Sequence, residues 1–367
     1  MTVTPEGVTV GYLKKVTNER GPYMIYLGMD VSSKSFVGYA INEKKKVVFE
    51  GEVEPTRLGL RRLIGKLGKE TKLVVFEAGN QLKWIALTLK KMGGVEIHVV
   101  HPNEIKWISE SSGKTDKIDA KKLAHLARGD MLPRKVHIVE GKIRELRELI
   151  SARDTLQSKR IALISSLRGY MKQEGYRLPV KFFQRVDWEG TLLKLKVGQI
   201  QKSIIENFMK AIESLEAAEG ELTERMVEIK DERIDLVETI PGIGKLTSRV
   251  LVSAIDNADR FDNKKSVAKY GAVTPRIYQS GGITHLGRIN RNGRHEVRRV
   301  LLQCAHTVAR MKSYEAWPLR AFFERIKNRR GKKIAIVAVA RKLLTIAYGV
   351  LKSKIAYNPA RLAVQAV

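Results

Sequence analysis

From residue 24 onward, short apolar runs alternate with turn residues: Met24–Leu27, Phe36–Ile41, Val47–Val53, Leu73–Phe76 and Val95–Val100. Runs this short, flanked by Gly, Asn, Pro and charged residues, suit strands rather than helices. Between the later runs lie Arg57–Leu67 and Gln81–Met92, amphipathic and long enough for helices. The order predicts three strands able to form a meander, then helix, strand, helix, strand, which is an α/β sheet with mixed strand directions. Another helix is expected over Asp119–Arg128.

Past Glu140 the period changes. Lys142–Lys172 contains no Gly or Pro before Gly169, and Ile143, Leu146, Ile150, Ile164, Leu167 and Met171 fall near heptad spacing. Further on, Ile205, Ile212 and Met226 share one heptad position and Phe208, Leu215, Leu222 and Ile229 the next apolar one, with Glu219 as the interruption. A seam of that period lets helices supercoil. It predicts a helical coiled-coil middle section whose seam is buried by a partner chain, against the alternative of an ordinary helical core. The link over 175–198, with Pro179 and Trp188, is expected to cap the hairpin. From Asp235 come ETIPGIGKLTSRVLVSAI, a loop-like TPRIYQSGGITHLGRINRNGRHE, and helical patterns over Val300–Met311 and Ile334–Leu351. The expected division is an extension over 1–22, an α/β domain over 23–138, a coiled-coil dimerisation section over 139–234 and a mainly α C-terminal domain over 235–367.

Charge narrows the function. Lys and Arg number 68 against 39 Asp and Glu, a formal net charge of +29. So large an excess repels itself unless a polyanion is present, and nucleic acid rewards it by counterion release. A thermophile-style surface of paired Lys and Glu would be nearly balanced in sign. Cys304 is the one cysteine, so a disulfide within the chain and a Cys-based zinc site are excluded, in keeping with a reducing cytoplasm. No run of about 18 apolar residues is apparent, so no membrane partner is expected.

The candidate chemistry begins with acids. Asp30 stands at the end of the first strand and Glu77 at the end of a later one, and carboxylates at strand ends of such sheets commonly face a shared crevice. Asp116 and Asp119, three apart, lie on one face of a helix start. The plain alternative is that one of them caps that helix, as lone Asp residues often do. Four converging carboxylates make physical sense when cations such as Mg²⁺ neutralise them, and such a site serves phosphoryl transfer.

The third section adds cations and a hydroxyl. Ile240-Pro241-Gly242-Ile243-Gly244 is a Gly-x-Gly turn before a helix whose first turn carries Lys245 and Thr247, resembling a helix-hairpin-helix motif that presents backbone N–H groups to a DNA phosphate. The plain alternative is a tight turn between packed helices. Ser280 lies in Tyr-Gln-Ser-Gly-Gly, after Arg276 and before five arginines within twelve positions, Arg288, Arg291, Arg294, Arg298 and Arg299. Guanidinium forks match phosphate oxygens. A serine hydroxyl there is a candidate nucleophile that needs activation, with His285 and His295 as nearby bases or phosphate contacts.

These motifs line up with a family. On GMD at Asp30, FEAG at Glu77, KTDKIDA at Asp116 and Asp119, IPGIG over Ile240–Gly244, YGAVTPR from Tyr270, QSGG at Ser280 and GRINRNGRHEVRR, the chain resembles DEDD/serine insertion-sequence transposases. These pair an RNase H-like (RuvC-like) N-terminal domain with a C-terminal serine transposase domain, and a bridge RNA directs their target choice. The resemblance implies that Ser280 attacks DNA to form a phosphoserine link, that Asp30, Glu77, Asp116 and Asp119 hold Mg²⁺, and that donor and target double-stranded DNA and a bridge RNA are bound by a dimer or tetramer. A resolvase or nuclease using metal-activated water, with Ser280 only binding phosphate, is the runner-up. A non-catalytic scaffold is disfavoured, because pure binding gains nothing from gathered negative charge. The extension before Tyr23 and a basic segment near Arg325–Lys333 depart from the family pattern.

Overall fold

The structure, a computed structural model, describes residues 24–105, 115–280 and 283–363; the extension expected over 1–22 and the two glycines after Ser280 lie outside them. The chain divides into two compact units, one ending at Ile138 and the other starting at Val139.

The first unit is built on a five-stranded sheet in the order β3-β2-β1-β4-β5, with β1 Met24–Val31, β2 Phe36–Asn42, β3 Val47–Val53, β4 Thr71–Glu77 and β5 Val95–Val100. The first three strands form the expected antiparallel meander, while β4 runs parallel to β1 and β5 parallel to β4. Helices α1 (Arg57–Lys66), α2 (Leu82–Lys90) and α3 (Asp116–Arg128) complete it. Side chains alternate across the sheet. Ile25, Leu27, Met29, Val74 and Phe76 pack on Leu60, Leu63, Ile85 and Leu89 of α1 and α2. On the other face Met24, Tyr26, Leu73 and Val75 pack on Ala120, Leu123 and Ala124 of α3. Both faces of β1 are thus covered, which is why its sequence is apolar throughout instead of alternating.

In the second unit, α4 (Gly141–Gln173) and α6 (Gln199–Glu228) form a long hairpin, with α5 (Trp188–Leu193) in the link. Arg153 bonds Thr223 and Arg160 bonds Glu219, so the two helices are antiparallel. Ile205, Ile212 and Met226 are buried by neighbours of the same chain, among them Leu167 and Met171 of α4. This corrects the expectation for that row: a tethered neighbour, always at hand, covers it in place of a partner chain. Phe208, Leu215, Leu222 and Ile229 stay half-buried. Glu219, the break in the heptad pattern, is 5% exposed and bound by the Arg160 guanidinium at 2.7 Å, with Glu216 on the same arginine at 3.2 Å.

There follow α7 (Glu232–Glu238), α8 (Lys245–Ile255), α9 (Lys264–Tyr270), strands β6 (Pro275–Ser280) and β7 (Ile283–Ile289), α10 (His295–Val308), α11 (Trp317–Arg330), α12 (Lys332–Ser353) and α13 (Ala360–Ala363). The segment expected as a loop is therefore largely a β-hairpin. Aromatic and β-branched residues, Ile277, Tyr278, Ile283 and Thr284, favour extended backbone, and Ser280 pairs with Ile283 across just two intervening glycines. Helix α12 is the centre of this unit's core: Ala335, Ile336, Val339, Ala340, Leu343, Leu344 and Ala347 are buried. It is also long and apolar enough to cross a membrane by length and composition, with a mean hydropathy of 1.9 over its most apolar window, contrary to the reading that no such run exists. Burial from several sides accounts for its composition.

Buried arginine joins the elements. Arg249 of α8 donates to the carbonyls of Met226 (2.7 Å) and Val227 (2.7 Å) at the end of α6 and of Lys245 (2.9 Å), and reaches Glu238 at 3.2 Å. Arg147 of α4 donates to the carbonyls of Ser253 (2.7 Å) and Ala254 (3.2 Å) at the end of α8, where a helix dipole favours a cation.

The Arg160–Glu219 pair yields a double-mutant prediction. Arg160→Leu leaves a buried carboxylate and is expected to lower the free energy of unfolding by roughly 3–5 kcal/mol, whereas Arg160→Leu/Glu219→Leu recovers most of that loss. Urea denaturation of the four proteins in the cycle measures it.

Candidate active site

The first site follows from register. Met29 pairs with Phe76 in the parallel β1–β4 ladder, so Asp30 and Glu77 stand level at the carboxyl ends of neighbouring strands. Tyr26 on β1 and Leu73 and Val75 on β4 face α3. The two-residue alternation therefore puts Asp30 and Glu77 on that same face. The N-terminal turn of α3 arrives there carrying Asp116 and Asp119. Neither of them caps the helix: Thr115 does, its hydroxyl accepting from the Ile118 N–H at 3.4 Å. Both carboxylates are left for other work, and the helix dipole favours negative charge at this end.

The electrostatics register the convergence. The Asp30 carboxyl is pushed above the usual range, first by burial, then by the charges of Asp116 and Asp119, with a smaller contribution from a side-chain hydrogen bond with Asp116. The backbone N–H of Val31 opposes the shift. Glu77 is placed beside Asp30 by strand register. Among the described residues no three acidic, His or Cys side chains close to the spacing of a completed metal shell. The donors are nevertheless hard carboxylate oxygens, of the kind Mg²⁺ takes, and a cation there would offset the negative charge that Asp116 and Asp119 set beside Asp30.

Two supporting residues escaped the sequence reading. Gly28 lies where α3 crosses β1: a Cβ built there would sit 2.0 Å from the Ala120 carbonyl oxygen and 2.7 Å from the Ala124 nitrogen. Only the lack of a side chain lets the helix come this close, two residues before Asp30. Gln81, in the segment after Glu77, donates to the Ser32 carbonyl at 2.6 Å. Ser32 in turn closes the β1–β2 turn, its hydroxyl donating to the Ser35 carbonyl at 2.8 Å and accepting from the Ser35 N–H at 3.1 Å. The loops following the two strand-end acids are thereby tied together. The signal for both was their closeness in sequence to the acids.

In the second unit Ser280 is the last residue of β6, with its backbone paired to Ile283. Arg276, Arg288 and Arg291 of the hairpin and its exit are exposed. The other arginines are engaged within the fold. Arg294 pairs with Glu296, Arg298 donates to the Asn290 carbonyl at 3.3 Å, and Arg299 ties α10 to Asp154 and Gln157 of α4. His285 and His295 are exposed, the latter 3.9 Å from Asp154.

The Gly-x-Gly turn joins α7 to α8. Gly242 has φ +80°, and a Cβ there would lie 2.6 Å from the Val308 side chain and 3.2 Å from the Cys304 carbonyl, so glycine seats the turn against α10. The Thr247 hydroxyl accepts from the Cys304 thiol at 3.6 Å, turned toward that helix. Gly244 and Lys245 are exposed at the start of α8, where no side chain caps the backbone N–H groups.

Two family models of transposases match the chain, one in each half of its length. Residues 234–319 match the family model described as Transposase IS116/IS110/IS902 family, and residues 27–175 match a DEDD transposase model. The transposase for insertion sequence element IS1111A of Coxiella burnetii is 24% identical over 344 residues, covering 90% of this chain and 91% of that protein. That for IS1328 of Yersinia enterocolitica is 23% identical over 75% of this chain and 82% of its own length. A pilin gene-inverting protein of Moraxella bovis is 37% identical over 123 residues, 33% of this chain and 37% of its own.

Two outcomes test the acidic corner. Since the folded state raises the Asp30 pKa, it binds that proton more tightly than the unfolded chain, and stability is lost as pH rises from the unfolded value through the folded one. Asp30→Asn is therefore expected to melt higher than the wild type at neutral pH without metal. Mg²⁺ should raise the melting temperature of the wild type and much less that of Asp30→Asn, which thermal melts with and without EDTA measure. Gly28→Ala should melt lower under all these conditions and weaken the Mg²⁺ effect, because it displaces α3.

Proposed function

The chain belongs to the IS116/IS110/IS902 family of transposases and is a DNA transposase or recombinase, and from that premise we propose that it cuts and rejoins DNA through Ser280, with Mg²⁺ held at Asp30, Glu77, Asp116 and Asp119. The single observation that supports this most is the acidic corner: beyond the effect of burial, the charges of Asp116 and Asp119 hold the Asp30 carboxyl above its usual range. Carboxylates gathered against their mutual repulsion suit phosphoryl transfer and serve no purpose in a passive DNA scaffold. The mixed sheet and its acid-bearing helix are consistent with an RNase H-like domain of the DEDD type.

In this reading the Ser280 oxygen bonds to phosphorus and loses its proton, while the bond from phosphorus to a bridging sugar oxygen breaks and that oxygen gains a proton. The phosphoserine keeps the energy of the phosphodiester, so the reverse step onto a new sugar hydroxyl reseals DNA. Bound Mg²⁺ would supply positive charge for phosphate oxygens. Arg276, Arg288 and Arg291 grip the DNA backbone, and Gly242, Gly244 and Lys245 present a helix-hairpin-helix-like phosphate contact, with Thr247 bracing it. Arg294, Arg298 and Arg299 stiffen the base of the hairpin from within, reaching DNA only after giving up their present partners. A bridge RNA directing donor and target choice, and a dimer or tetramer joined along the half-buried row Phe208, Leu215, Leu222, belong to the same reading, as does a cytoplasmic, nucleoid-associated setting. So does the division into a DEDD domain to 138, a joining section to 234 and a serine domain beyond.

Incubation with a DNA substrate carrying its element ends is expected to yield a protein–DNA species that survives denaturant and is absent from Ser280→Ala. EDTA or Asp116→Asn should abolish cleavage with binding largely kept, because the cationic surface carries affinity. Cleavage by Ser280→Ala at the wild-type rate would instead establish water as the nucleophile.

A further inference from the structure

One strongly charged surface is absorbed by neither site. The segment from Arg325 to Lys333 holds six cations, Arg325, Lys327, Arg329, Arg330, Lys332 and Lys333, and no acid. It forms the turn between α11 and α12, and all six are exposed. It lies beyond residue 319, where the second family match ends, so nothing about it is inherited from that match.

Stability does not account for this arrangement. Lys327, Arg329 and Arg330 sit in the last turn of α11, where the helix dipole welcomes cations. Lys332 and Lys333 open α12, where the dipole disfavours them, and the first turn of α12 has no acidic residue to compensate. Among the described residues Lys327 is the one of the six in an ion pair, with Glu324 at 2.8 Å. The cationic surface also continues to both sides. An open groove of about 380 Å³ beside the turn is lined by Arg310, Lys327 and Lys332 together with His306 and one acid, Glu324, which pairs with Lys327. On the other flank Lys264 and Arg325 lie close enough to Lys342 to hold its ammonium below the usual lysine range, after the larger effect of burial.

We propose that the α11–α12 turn is a second DNA contact, binding the phosphate backbone of duplex DNA apart from the hairpin that carries Ser280. The inference rests on the reading of this chain as a DNA transposase. Charge complementarity selects a polyanion. The form of the turn selects a duplex over a single strand: residues 325–333 include no aromatic to stack on an unpaired base, and the nearest rings are occupied, Phe323 buried and Phe322 lying 5.6 Å from the Arg325 guanidinium. With the donors all cationic and no Asn or Gln beyond Asn328, the contact is indifferent to base sequence. It would hold DNA flanking the exchanged site.

The test uses the full chain and a non-specific DNA duplex, with affinity measured by fluorescence anisotropy over a range of salt. Arg329→Gln/Arg330→Gln/Lys332→Gln/Lys333→Gln is expected to flatten the slope of log affinity against log salt by about 3 to 4, at about 0.9 for each lost phosphate contact. A variant of equal charge loss elsewhere, Lys159→Gln/Lys181→Gln/Lys194→Gln/Lys202→Gln, should change the slope by less than one. Equal changes in both, or none in the first, overturn the proposal. As a second measure in otherwise unaltered protein, a photo-crosslinking benzoylphenylalanine in place of Asn328 is expected to capture duplex DNA; capture of RNA alone, or of neither, overturns it too. Failure of the wild type to cleave DNA would count against the transposase reading, which these binding measurements report on separately.

Discussion

The close crossing of a helix over a strand at Gly28 is the contact on which the acidic corner depends. A side chain there would overlap the backbone of Ala120 and Ala124. With none, α3 packs flat on β1, and its first turn comes to rest over the end of the same strand, where Asp30 stands. The resulting assembly of carboxylates is unfavourable in itself, as the raised Asp30 pKa records. The sandwich supports it because burial of Tyr26, Leu73, Val75, Leu123 and their neighbours fixes the helix independently of the charges. Packing imposes the proximity, and on the proposed reading a cation would relieve it.

The second unit spends its positive charge in two ways. Arg249, Arg147 and Arg160 are largely interior, closing helix ends or a seam, and Arg299 fastens the helix after the hairpin to α4. A guanidinium does this well because its fixed fork can satisfy several carbonyls at once. Arg276, Arg288 and Arg291, and the turn from Arg325 to Lys333, face outward. The net charge of +29 therefore overstates the surface available to nucleic acid if every arginine is assigned to it, and understates how sharply the remainder is concentrated.

That concentration bears on how a transposase handles DNA. On the proposed reading, acids that gather for a metal repel the backbone they act on, so affinity has to come from elsewhere on the molecule. The exposed arginines of the β6–β7 hairpin and the cationic turn of the C-terminal helices would supply it by counterion release, which needs no particular base sequence.

The order of strands and helices in the first unit, the two long helices and the strand-end positions of Asp30 and Glu77 were legible in the sequence, because hydrophobic period and strand boundaries are local properties that a linear pattern carries. Three features were not. The span after Thr274 read as a loop, since its polar residues and glycines conceal a hairpin whose strands are held mainly by each other's backbone. Glu219 read as a flaw in a seam facing a partner, whereas it is the acceptor for Arg160, 59 residues away along the chain. Arg294, Arg298 and Arg299 read as one cationic cluster with their neighbours, and the fold turned them inward onto Glu296, Asn290 and Asp154. By itself the sequence determined the strands and helices of the first unit, the long helices of the second, the acidic and basic character of each region and the kinship of the chain. Tertiary structure alone decided that Gly28 admits the helix, that Glu219 receives Arg160 and that Arg299 is turned onto Asp154, because each of these depends on contacts between residues distant in sequence, which no local period records.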